Sequence, residues 1–157
     1  MMIVRIEIGD ESDLDEWAPL RAELWPDGTA TEHREELTDM LSGPQLFAGF
    51  LARGARGELI GFAEAALRID YVNGCDTSPV AFLEGLYVAE DSRRLGIARG
   101  LVSAVEQWAR QRGCAELASD ALLENSASHA VHAALDFEET ERVVYFRKVL
   151  DDPHSLS

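Results

Sequence analysis

Cysteine is scarce, basic residues are few and no long apolar run occurs, and each shortage removes a class of protein. The two cysteines, Cys75 and Cys114, form no C-x-x-C pair and sit near no histidine pair with zinc-ligand spacing, which argues against a disulfide scaffold and against a structural metal. Lys and Arg number 14 against 29 Asp and Glu, a formal net charge of -15. Nucleic-acid binding depends on neutralising phosphates, so a chain this acidic is not expected to take that partner. The charge suits a cationic partner, and it also keeps a protein soluble whatever it binds. No apolar stretch approaches the roughly 20 residues that cross a bilayer, and the opening Met1-Met2-Ile3-Val4-Arg5 lacks a basic region followed by a long apolar one. The expectation is a cytoplasmic protein with no membrane partner.

The 157 residues, 46% of them hydrophobic, suffice for one core and not for two. Residues 1–150 read as a single domain and 151–157 as a polar tail. Residues 3–8 alternate as a strand, and Ser12 offers an N-cap for a helix with Leu14, Trp17, Leu20 and Leu24 that ends before Pro26. A second helix begins near Thr31 and stops at Ser42-Gly43-Pro44. Strand-like runs at 46–53 and 58–70 flank Gly54-Ala55-Arg56-Gly57 as a hairpin, and a further strand covers about 80–88. Ile97, Leu101, Val105 and Trp108 recur at helical spacing up to the stop signal Gly113. A short strand near 115–119, a helix at about 126–135 and a strand pair over 137–150 complete the chain. Antiparallel-looking strands followed by strand-helix alternation predict an α/β sandwich on a mixed sheet.

The stretch Val88 to Ala98 carries the cofactor argument. It sets a strand end, a loop with Arg93 and Arg94, and Gly96 directly before an amphipathic helix. Unpaired N–H groups at a helix start and the helix dipole favour an anion, Gly96 leaves room for a phosphate, and Arg93, Arg94 and Arg99 add local positive charge. An ordinary connection with solvated arginines fits the same string.

The pattern Arg93-x-x-Gly96-x-Ala98 resembles the pyrophosphate-binding motif of the GCN5-related N-acetyltransferases (GNAT), and Asn125 with Ala134-Leu135-Asp136-Phe137 resembles their later motif, which usually ends Leu-Gly-Phe. Asp136 departs from that glycine, where a left-handed backbone suits Gly better than Asp. Further strings narrow the resemblance to aminoglycoside 6'-N-acetyltransferases over nearly the whole chain: Leu24-Trp25-Pro26, Asp70 to Cys75, Phe82-Leu83-Glu84-Gly85, Ala118-Ser119-Asp120 and Phe137 to Val143. It implies a mixed sheet of about six to seven strands flanked by about four helices. It implies acetyl-CoA as acetyl donor, no metal, a polycationic aminoglycoside as acceptor, and a homodimer through the C-terminal strands.

Cofactor contacts are expected from Leu86, Tyr87, Val88, Arg93, Arg94, Leu95, Gly96, Ile97, Ala98 and Asn125. The resemblance implies direct acetyl transfer, with backbone N–H groups of Leu86 to Val88 freed by a bulge at Gly85 and polarising the thioester. By strand alternation Glu84 shares a side with Phe82, Leu86 and Val88, so a carboxylate stands among apolar groups. It is either acceptor-binding or half of a buried ion pair with Arg68. Asp120 just past a strand, Glu141, Trp25 and Tyr71 match acceptor-site positions. The carboxylates attract an ammonium but raise the pKa of the amine that must lose a proton, so Asp120, desolvated and working through water, is the expected base. His132 stands where many family members place a tyrosine that protonates the leaving thiolate. The alternatives are the same transferase chemistry on a polyamine or protein amine, and a non-catalytic acetyl-CoA sensor.

Overall fold

A computed structural model describes residues 4–150; Ile3 at the start of the first expected strand and the tail 151–157 lie outside the described residues. The elements are β1 (Arg5–Ile8), α1 (Leu14–Leu24), α2 (Ala30–Ser42), β2 (Phe47–Arg53), β3 (Leu59–Arg68), β4 (Val80–Val88), α3 (Ile97–Gln111), β5 (Leu117–Ala118) and α4 (Ser126–Ala134). The sheet runs β1-β2-β3-β4-β5 in space, antiparallel through β4 and parallel between β4 and β5.

Period-2 alternation sends the strand side chains to two cores. Ala48, Phe50, Ala52, Ala63 and Ala65 meet the α3 stripe Ile97, Leu101, Val105 and Trp108 on one face. Leu51 and Phe62 meet Leu14, Trp17 and Leu37 from α1 and α2 on the other. The helix starts are built locally. Thr29 and Glu32 form a reciprocal capping box on α2. Ser12 does not cap α1: a 3₁₀ turn over Glu11–Asp13 precedes the helix and is capped by Asp10, whose carboxylate accepts from the Ser12 N–H at 2.8 Å, and Asp13 stands at the start of α1.

Two expectations fail on the C-terminal side. The described residues form five strands, not six to seven, and the strand pair over 137–150 is absent. Residues 138–150 form neither helix nor strand and leave Val144, Tyr145, Phe146, Val149 and Leu150 at least 71% exposed. The strand that precedes them, β5, is two residues long.

Candidate active site

The bulge predicted beside Gly85 is present, and Glu84 is its extra residue. Glu64 on β3 faces Gly85 while the next residue, Ala65, faces Leu83, so nothing on β3 opposes Glu84. The bulge also overturns the expected alternation. Leu83, Leu86 and Val88 belong to the α3 face, whereas Tyr87 packs with the α1 and α2 core. Glu84 therefore parts from Leu86 and Val88 and turns toward the α1–α2 side. Its pair with Arg68 exists, at 2.9 Å, but the two side chains are 35% and 44% exposed, so it is not the buried pair that alternation suggests. The Arg68 guanidinium lies 3.7 Å over the Phe82 ring.

A cleft of about 640 Å³ opens between α1, α2 and the sheet, lined in part by Arg21, Trp25, His33, Glu36, Glu64 and Glu84. Trp25 closes one wall. Its carbonyl accepts from His33 Nε2 at 2.9 Å, its ring lies 5.0 Å from the Arg21 guanidinium, and it rests on Gly85, where a Cβ would collide with the indole. Glycine at 85 is thus required for close approach.

At the floor, Glu64 is 1% exposed. Its Oε2 accepts from Trp17 Nε1 at 3.1 Å and lies 3.0 Å from Arg21 Nε, while Oε1 accepts no hydrogen bond among the described residues. Burial pushes the Glu64 carboxyl up to about 7, against the opposing pull of the Arg21 charge and the Trp17 N–H. Sequence reading overlooked Glu64. The signal was there, one acid inside the apolar run Leu59-Ile60-Gly61-Phe62-Ala63-Glu64-Ala65-Ala66-Leu67.

Of the expected acceptor residues, Trp25 and Glu84 line this cleft and Tyr71, Asp120 and Glu141 do not. Tyr71 is 75% exposed, and Glu141 lies on the extended segment instead of starting a strand. β4 and β5 last pair at Phe82 and Ala118, and Glu84 and Asp120 each lie two residues further along their own arm of the fork. Asp120 is exposed, so the free chain does not supply its expected desolvation.

The loop before α3 has the geometry of an anion cradle. Arg94 and Gly96 have φ of 65° and 79°, and Gly96 caps α3 with no side-chain hydrogen bond to the first N–H groups. A Cβ placed on Gly96 would meet nothing within 4 Å, so the space in front of the helix start is open. These features fit a diphosphate, with positive φ at 94 and 96 turning successive N–H groups toward one side. Arg94 and Leu95 are exposed beside it, Ala98 is half-buried, and Ile97 sends its side chain into the core and offers only its N–H. Arg93 Nε donates to the Val88 carbonyl at 2.8 Å and Arg99 pairs with Asp136 at 3.4 Å, so these two arginines have protein partners.

Behind the fork, Asn125 caps α4, its side-chain oxygen accepting from Ser128 N–H at 3.1 Å. Asp136 adopts φ 68°, the left-handed turn that the usual glycine provides. His132 Nδ1 lies 2.7 Å from the Ser128 carbonyl and Nε2 2.8 Å from Ser119 Oγ. Among the described residues no three His, Cys, Asp or Glu side chains converge to hold a metal ion, and no helix is long and apolar enough to cross a membrane.

Residues 14–137 match the model of the acetyltransferase (GNAT) family. This chain belongs to that family. The acetyltransferase is similar to the aminoglycoside N(6')-acetyltransferase type 1 of Serratia marcescens, 54% identical over 92% of this chain and 99% of the relative. Among solved structures, the aminoglycoside antibiotic 6'-N-acetyltransferase AAC(6')-Ih from Acinetobacter baumannii superposes with TM-score 0.89 at 47% identity, covering 95% of this chain and all of its own. AAC(6')-Iy in complex with the bisubstrate analogue CoA-S-monomethyl-acetylneamine gives TM-score 0.88 at 44% identity, covering 94% and 99%. A GNAT fold on a mixed sheet with acetyl-CoA as acetyl donor follows for this chain.

Proposed function

We propose that this acetyltransferase passes the acetyl group of acetyl-CoA directly to the 6'-amino group of an aminoglycoside antibiotic, and so confers resistance. The observation that carries the reading is the conjunction of an acidic cleft, walled by Trp25 over Gly85, with a bulge on the strand that leads into the α3 cradle. Relatives similar over almost the full chain carry that activity in their names.

The cradle residues Arg94 to Ala98 hold the diphosphate through backbone N–H groups, and Asn125 has its side-chain N–H₂ left for the coenzyme. Acetyl-CoA brings the activated acyl group; the rest is positioning and charge. Outward N–H groups of Leu86 to Val88 donate to the thioester oxygen as charge develops there. Glu84 and Asp120, on the two arms of the fork, bind the acceptor ammoniums, and Trp25 lies against a sugar ring. Tyr71 and Glu141 reach the acceptor from outside the cleft. Asp120 takes the amine proton through water, its desolvation coming from the bound acceptor rather than from this chain. The proton for the leaving thiolate comes from the α4 side, where His132 stands.

The working unit is a homodimer in the cytoplasm. Residues 138–150 expose Tyr145 and Phe146 by 80% and 93%, and a second copy covers them by pairing this segment as a strand. Light scattering coupled to gel filtration tests this; Tyr145→Glu with Phe146→Glu is expected to give a monomer, and a monomeric wild type would refute it.

A free-thiol assay tests the function, with kanamycin, tobramycin, a 6'-hydroxyl analogue, spermidine and a peptide amine as acceptors. Release with the two drugs and not with the 6'-hydroxyl compound is expected. Equal turnover of the 6'-hydroxyl analogue would make the regiochemistry wrong, preference for spermidine or peptide would move the substrate class, and no release with any amine would point to a sensor.

A further inference from the structure

We propose that the Ser119 hydroxyl hands the proton to the leaving thiolate of coenzyme A and is itself resupplied by His132, a step that rests on the acetyl-transfer reading above.

The fork between β4 and β5 gives Ser119 its place. The two strands pair only at Ala81 with Leu117 and at Phe82 with Ala118. One residue further they separate, and the remaining tie is the long contact of 3.4 Å from Ser119 Oγ to the Leu83 carbonyl. Beyond it β4 carries the Glu84 bulge and Leu86 to Val88 with no strand on that side. With its diphosphate in the α3 cradle, a thioester arm running back along this open edge of β4 as an added strand does would bring its reacting end toward the apex. Ser119 stands at the apex.

The hydrogen bonds of His132 decide its role. His132 Nδ1 lies 2.7 Å from the Ser128 carbonyl and 3.3 Å from the Ser128 hydroxyl; the carbonyl is the nearer partner and only accepts, which assigns the hydrogen to Nδ1. The ring is held in that orientation by the edge of Phe137, 5.2 Å between centroids. Gain or loss of a proton then changes only Nε2, which lies 2.8 Å from Ser119 Oγ. In the neutral ring Nε2 accepts the serine hydrogen. In the imidazolium Nε2–H donates to Oγ and turns the serine hydrogen outward, where the Leu83 carbonyl is too distant to hold it firmly. Direct donation from His132 is blocked, because Ser119 Oγ occupies the direction in which Nε2–H points.

The step balances. The amine nitrogen bonds to the carbonyl carbon, the carbon–sulfur bond breaks, and its electron pair goes to sulfur. Sulfur takes the Ser119 proton, Oγ takes the Nε2 proton, and the products are a free thiol and a neutral His132. The proton shed by the new amide nitrogen leaves through Asp120 and water, and solvent restores the imidazolium.

The test combines kinetics with two measurements independent of turnover. Ser119→Ala and His132→Gln are each expected to lower kcat by about 10²-fold, and the double variant to be no worse than either alone. Ser119→Thr, which keeps the hydroxyl, is expected to recover most of the loss. Calorimetry is expected to show unchanged coenzyme A affinity in all of them. In the ligand-free protein, ¹⁵N NMR is expected to show Nδ1 protonated, and Ser119→Ala to move only the Nε2 resonance. A kcat within about twofold of wild type for Ser119→Ala, multiplicative losses in the double variant, or a proton on Nε2 with Nδ1 bare would overturn the relay. An active wild type with an indifferent Ser119→Ala defeats the relay alone; a wild type inert toward every aminoglycoside defeats the functional reading beneath it.

Discussion

Glu64→Gln probes the floor of the cleft between α1, α2 and the sheet, because it removes a titration while keeping the shape of the side chain. Burial raises the Glu64 carboxyl from its ordinary 4.5 to about 7. In the unfolded chain the group is deprotonated above about pH 4.5, while in the folded protein it holds its proton until about pH 7, so the folded state binds more protons over that window. Stability from this group is therefore fully present below the unfolded value and is lost as the pH rises through the folded one. That rise corresponds to roughly 3 kcal/mol. Glutamine has no such linkage. The stability of Glu64→Gln relative to wild type is expected to improve by about 3 kcal/mol between pH 4 and pH 8, whatever its offset at either end. Urea unfolding of both proteins across that range measures it, compared as differences so that other titrating groups cancel. A pH-independent difference would refute the reasoning. A trend of opposite sign would show that Arg21, 3.0 Å from the carboxylate, outweighs desolvation and keeps Glu64 ionised throughout.

Gly85→Ala sets a methyl group against the Trp25 indole and is expected to raise KM for the aminoglycoside about tenfold while leaving acetyl-CoA affinity unchanged; steady-state kinetics with each substrate varied separates the two. Gly96→Ala meets no atom but holds φ 79°, which costs about 1–2 kcal/mol, so calorimetry is expected to show coenzyme A binding weakened about tenfold as the loop relaxes. Asp136 already adopts φ 68°, so Asp136→Ala is expected to be less stable than Asp136→Gly by about 1 kcal/mol in urea unfolding.

The sequence revealed the fold wherever a local rule and the tertiary packing agree. The α3 stripe, the hairpin around Gly54 to Gly57 and the Thr29 helix start each rest on contacts a few residues apart, and each appears within a residue or two of its expected place. Asp10, Ser12 and Asp13 all satisfy the preference for a short oxygen-bearing side chain, and only the 3₁₀ turn decides that Asp10 caps the coil and that α1 starts after Asp13. The C-terminal strands were misjudged for another reason. The β-branched and aromatic residues of Val143 to Leu150 make this segment fit for a sheet, but do not say which chain supplies the partner strand.

The site was legible in unequal parts, and the division follows from where its geometry is encoded. The loop before α3 is a local device, so Arg93 to Ala98 disclosed its geometry, down to the glycine whose φ the helix start demands. The acceptor side depends on a register error between two strands. Alternation assumes an unbroken period of two, and one extra residue at Glu84 reverses every face after it, which is why Glu84 was assigned the neighbours Leu86 and Val88. The same break turns Tyr87 toward the α1–α2 side, opens room over Gly85 for Trp25, and leaves Glu84 beside the buried Glu64. One inserted residue thus couples the strand proposed to serve the thioester to the wall proposed to hold the acceptor. Removing it, by deleting Glu84, is expected to restore regular alternation and to disrupt both halves of the site together, a coupling that no single side-chain replacement in the cleft reproduces.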